Sequence, residues 1–256
     1  MTQTRLLVLV SSVIVALCAL LIWILRPSVG VSVAGSLLVA IVVTALGWLA
    51  KLPSPPQIWP NRDSLTPSLM SRMEQAQTSL FLVGFSLETT FKDYAGTLAR
   101  ALIDNSGLHV RILMLHPDSL HVRAHQIFST RPVAERIRGT VNGFLKELFD
   151  ALTPEARHRL QVRATHYLPR FAARVFDDST MLLNFYLFKS RAHENPVIEL
   201  RRDLHKESFA GILRSLDELF HYGDTQQECN RPNHRIVENG RWYGLPKAKS
   251  KDLECD

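Results

Sequence analysis

The stretch RFAARVFDD, residues 170 to 178, ends an apolar run in two adjacent carboxylates, Asp177 and Asp178, and carries Arg170 and Arg174. On a strand, residues separated by an even number share a face. Arg170 and Arg174 can therefore grip a phosphate or carboxylate together through forked hydrogen bonds. An equally ready reading pairs two exposed arginines with Asp177 or Asp178. A second group, His116 and Asp118, follows the apolar run VRILML, with His121 and His125 further on. Ligand sites of open α/β sheets gather at the carboxyl ends of buried strands. Two histidines at helical spacing can share a metal and support hydrolysis, although such a pair without a fixed acidic partner is most often a surface feature. The candidate ligand-binding residues are thus Arg170, Arg174, Asp177, His116 and Asp118.

Other chemistries lack their residues. Cys229, His234 and Cys255 have neither a C-x-x-C nor a second histidine at zinc-finger spacing, so no metal is expected there. No Walker loop, GxGxxG or GxSxG elbow occurs, which argues against a nucleotide hydrolase, a dinucleotide enzyme and a serine hydrolase, and no cofactor is expected.

The elements that must position these residues follow from hydrophobic periodicity. PSLMSRMEQAQ (67 to 77) reads as a helix, SLFLVGFS (79 to 86) as a buried strand, 91 to 104 as a second helix and HVRILMLHP (109 to 117) as a second buried strand. A strand, a helix and a strand in this order favour parallel pairing. Residues 131 to 152 read as the longest helix of this region, followed by strands near 160 to 167, 171 to 177 and 181 to 188. VIELRR (197 to 202) reads as an edge strand and 208 to 222 as a closing amphipathic helix. The tail from 223 to 256 is polar and reads as poorly ordered.

Residues 6 to 25 and 28 to 50 contain no charge, and each run is about the 20 residues that a helix needs to cross a bilayer. They read as a transmembrane hairpin turning at Arg26 and Pro27, joined to the domain by a proline-rich linker at 51 to 65. Arg5, Lys51 and Arg62 outweigh Arg26, which places both ends and the domain on the cytoplasmic side of an inner membrane. All 24 acidic residues follow position 50, as do all but two of the 30 basic ones, so the domain is mildly basic beside an anionic leaflet.

The order of these cues, GFSLE after the first strand, VRILMLHPDS on the second, and a basic strand running into FDD before NFY, resembles the phospholipase D superfamily. The likeness covers roughly residues 66 to 222 and is similar to one half-domain, especially the degenerate modules of bacterial regulatory and defence-associated proteins. It implies an α/β fold, an α/β/α half-domain with a mixed sheet. The family's H-x-K-x-x-x-x-D motif supplies a nucleophilic histidine and a phosphate-holding lysine. Registered on Asp177, those positions are Arg170 and Ala172, and an arginine that stays protonated is no nucleophile. The resemblance therefore implies a membrane-anchored, non-catalytic domain that senses a phosphate-bearing ligand or partner. The alternative is a phosphodiesterase acting on lipid or nucleic acid through His116, His125 or His166; nucleic acid has no separate support. Half-domains of this kind complete their cleft by pairing, and Ser32, Ser36, Ala40 and Thr44 form a stripe of small residues suited to close helix packing, so a homo-oligomer is expected. A reporter fused after Asp256 is expected to behave as cytosolic; an exported reporter overturns the orientation.

Overall fold

The computed structural model describes residues 55–61, 63–126, 132–167, 171–185, 195–222 and 232–245. The chain divides into two compact units, 1–54 and 55–256, and every described residue belongs to the second. The two expected spans lie outside the described residues. Among the described residues no helix is long and apolar enough to cross a membrane.

The elements run β1 (Gln57–Trp59), a short 3-10 turn (Asp63–Leu65), α1 (Thr66–Gln75), β2 (Ser79–Gly84), α2 (Glu88–Asp104), β3 (His109–Leu115) and α3 (Leu120–Gln126). A second run of helix comprises α4 (Val133–Gly139), a π-helical turn (Thr140–Leu145) and α5 (Lys146–Ala151), with α6 (Pro154–His158) after it. Then come β4 (Leu160–Thr165), β5 (Phe171–Phe176), β6 (Thr180–Phe185), β7 (Val197–Arg201), α7 (Lys206–Phe220), β8 (His234–Glu238) and β9 (Arg241–Trp242).

These strands form one mixed sheet in the order β1-β7-β6-β5-β2-β3-β4-β8-β9. As the strand–helix–strand pattern predicts, β2 and β3 pair in parallel, and β4 extends them in parallel. The remaining pairs are antiparallel. Alternation along each strand feeds two cores. Leu80, Leu82, Val110, Ile112 and Met114 face α1, α2 and the α4–α5 rod, while Phe81, Val83, Leu113, Val175 and Met181 meet Phe209, Leu216 and Phe220 of α7. The layers are helix, sheet and helix, a mixed α/β fold with a large mixed sheet.

Three expectations are corrected. The linker at 51–65 contains a strand, β1, which pairs with β7 through Gln57↔Glu199 and Trp59↔Val197, so VIELRR is not the edge. The domain does not stop at residue 222, because β8 and β9 continue the sheet beyond β4. The physical reason is Arg163, a guanidinium buried on β4 that must be satisfied. It donates to the Phe220 carbonyl at 2.9 Å and to Glu238 at 3.0 Å, and lies 4.6 Å over the Phe220 ring. Glu238 belongs to β8, so the tail returns to complete this buried pair. Third, Arg174 is not exposed: it is 3% accessible and donates to the Thr90 hydroxyl of α2 at 3.3 Å.

The Asp177 carboxylate joins the two halves of the sheet. It accepts from the backbone N–H of Gln77 (2.9 Å), Thr78 (2.7 Å) and Ser79 (3.1 Å) and from the Thr78 hydroxyl (3.1 Å). Its own N–H donates to the Ser79 carbonyl at 2.8 Å. Burial works against ionisation, but the hydrogen bonds from Thr78, Ser79 and Gln77 outweigh it and hold the carboxyl below its ordinary value. Both Asp177 and Asp178 adopt positive φ, 50° and 46°, a conformation that Asp and Asn tolerate better than other side chains.

Asp177→Asn keeps the turn and removes the charge. It is expected to destabilise the domain by about 1 kcal/mol at neutral pH, a figure that allows for the turn's exposure to solvent. A carboxyl whose folded pKa is depressed contributes stability above the unfolded pKa, and that stability is lost as the pH falls through the folded value. Denaturant titrations across the acid range should therefore show a shallower acid loss in Asp177→Asn than in the parent.

Candidate functional site

The carboxyl ends of the parallel strands bring three histidines together. β3 and β4 are in register through Leu115↔Thr165, so the residues that follow, His116 and His166, emerge side by side. Their rings stack at 4.3 Å between centroids, inclined by 30°. β8 runs antiparallel to β4 with Ala164↔His234, which sets the His234 ring edge-on to His116 at 6.0 Å.

His116 is 4% accessible. Its N–H donates to the Thr165 carbonyl at 2.7 Å, and its Nδ1 accepts the Asp118 N–H at 3.2 Å. Burial pushes its pKa down to about 4; His166 adds to the fall, Asp118 opposes it, and His234 and Arg138 lower it further. The ring is therefore neutral near pH 7, and with Nδ1 occupied as an acceptor its proton resides on Nε2. His116 thus presents Nε2–H as a donor, while its Nδ1 lone pair is engaged by the Asp118 N–H. His234 Nε2 faces the Gly244 carbonyl at 2.7 Å, an acceptor only, so that nitrogen also carries a proton.

The surrounding groups hold the turn in place. Asp118 receives Arg138 of α4 at 2.6 Å. The Ser119 hydroxyl donates to the His166 carbonyl at 2.8 Å and accepts the His121 N–H at 3.3 Å, which caps α3. Tyr167 and Tyr222 join through their hydroxyls at 3.0 Å, and that hydrogen bond, with burial, raises the Tyr167 pKa to about 12.

The five candidates are not one site. His116 and Asp118 stand at the carboxyl edge, Arg174 lies between the sheet and α2, and Asp177 sits at the opposite edge of the sheet, bound to backbone. Arg170 lies outside the described residues, and so does the His125 side chain, which leaves the His121–His125 pair without a described geometry. Among the described residues no group of three or more His, Cys, Asp or Glu is arranged to hold a metal. His234, weighed from the sequence only with Cys229 and Cys255 for zinc, was not placed beside His116 because it lies in a polar tail; the faint signal was the short apolar pair Ile236 and Val237 near it.

A buried neutral histidine makes stability depend on pH. Its folded pKa lies below the unfolded one, so its contribution is complete above the ordinary value of 6.5 and declines as the pH falls toward about 4. Thermal unfolding across that window should show the parent losing stability, with His116→Asn giving a flatter curve; equal slopes overturn the assignment.

No protein-family model matches the chain, and no curated protein matches it. Among solved structures, the archaeal chromatin protein TrmBL2, whose structure shows a novel mode of DNA binding, aligns with 72% of this chain at 13% identity and a TM-score of 0.39. That alignment spans 60% of the chromatin protein's own chain. A phospholipase D family member, Nuc from Salmonella typhimurium, aligns with 69% of this chain and 99% of its own, at 13% identity and a TM-score of 0.39. At such TM-scores neither likeness carries weight for function, and the fold stands on this chain's own strand order and packing.

Proposed function

We propose that this chain is a membrane-anchored, non-catalytic binding module of the phospholipase D-like type, serving as a sensor or effector for a phosphate-bearing ligand or partner. The observation that supports it is the state of His116. The carboxyl edge offers a histidine cluster, but His116 is neutral, its Nδ1 is engaged by the Asp118 N–H, and its Nε2 is a donor. Such a ring binds an acceptor oxygen and does not attack phosphorus. Ala172, at the position where the resemblance calls for lysine, is buried in β5 and has no group to hold a phosphate. Arg174 is committed to the interior beside Thr90.

The test uses the full chain in detergent. Turnover of a chromogenic phosphodiester is expected to be absent with and without divalent metal, and native mass spectrometry is expected to find a phosphate-bearing small molecule retained by the protein. Turnover that vanishes in His116→Ala, with circular dichroism showing the fold kept, overturns the reading in favour of a phosphodiesterase.

A further inference from the structure

At the edge of the sheet opposite the histidines lies a cleft of about 810 Å³. Its charged lining consists of Arg72 from α1, Glu199 and Arg201 from β7, and Arg202, Asp203 and Lys206 leading into α7. Both carboxylates are already matched. Arg72 reaches the two oxygens of Glu199 at 3.1 and 3.0 Å, and the Trp59 indole N–H donates to the same carboxylate at 3.2 Å. Asp203 is held by Arg201 through two nitrogens, at 3.2 and 2.7 Å. Arg202 and Lys206 are exposed, and neither is in an ion pair among the described residues.

The turn that presents these two cations is fixed. The Arg202 N–H donates to the Ser179 carbonyl at 2.8 Å, and the Arg201 N–H donates to His205 Nδ1 at 3.0 Å. A cleft with surplus positive charge on a held backbone suits a phosphate anion.

The path of the chain narrows the source of that phosphate. β1 is antiparallel to β7 with Gln57↔Glu199, so the chain enters this unit through Pro55 and Pro56 at the Arg201 end of β7, beside the cleft. The second uncharged run ends at residue 50, only five residues earlier. We infer that the cleft is a second site, separate from the histidine edge, which binds the phosphate headgroup of an anionic lipid through Arg202 and Lys206. The inference rests on the membrane anchoring proposed above for its choice of lipid over a soluble phosphate.

The experiment places the full chain in nanodiscs of phosphatidylcholine alone, or of phosphatidylcholine and phosphatidylglycerol in equal parts, and follows hydrogen exchange of residues 197 to 206. Slower exchange in the anionic discs alone is expected, and Arg202→Ala with Lys206→Ala should abolish the difference. Each cation removed should weaken the headgroup interaction about fivefold. Both residues are exposed, so the fold should survive, and unchanged exchange in α2 confirms that it has. No protection in anionic discs, or protection that persists in the double variant, overturns the site. Inorganic phosphate or glycerol phosphate protecting the segment equally in neutral discs overturns the lipid source while keeping the anion. A chain that carbonate extraction releases from membranes overturns the anchoring instead, and the free-phosphate arm then decides the cleft alone.

Discussion

The seam between β2 and β5, pinned at one end by the Asp177 carboxylate, is the constraint on which the rest of the sheet depends. The sheet is assembled from a parallel set, β2, β3 and β4, and an antiparallel meander, β5, β6 and β7, which meet only where β2 pairs with β5. That seam joins residues about a hundred positions apart in sequence, and one oxygen of Asp177 gathers three successive amides at the start of β2 to set its register. A slip by one residue would turn Leu80 and Leu82 toward α7 and Phe81 and Val83 toward α2, exchanging the two cores. Contacts this distant must offset the entropy of closing a long loop before packing yields any gain.

The same carboxylate shows how a functional frame and a structural one are confused. An acidic residue at the end of a basic strand looks like part of a reactive constellation, yet here it is engaged by the backbone N–H groups of Gln77, Thr78 and Ser79 and by the Thr78 hydroxyl. Arg174 offers a parallel case. An arginine on a strand face reads as solvated, but its neighbours across the sheet are Leu82 and Leu182, and α2 covers it. Burial of that kind depends on which helix lies overhead, which no spacing along RFAARVF encodes.

Much of the layer architecture was legible because its signals are local. The apolar runs of β2 and β3 and the intervening amphipathic α2 announce a parallel pair, and Phe209, Leu216 and Phe220 recur at helical spacing along α7. What stayed hidden was decided by distant partners. β8 is a short strand with charged neighbours, and its place follows from the requirement of Arg163 for Glu238. β1 sits among prolines and is held by Trp59 and the buried Glu199. The pairing of His116 with His166 is a register event between β3 and β4, and His234 joins them only because β8 does.

The two ends of the sheet carry a further consequence. Among the described residues it finishes in β1, three residues long, and β9, two residues long. Each offers too few free amide and carbonyl groups to template another strand, and β1 is flanked by prolines that donate none. Growth of the sheet from copy to copy is thereby disfavoured at both described rims. Among the described residues, side-chain surfaces rather than the β-ladder are the readier route by which several copies could assemble.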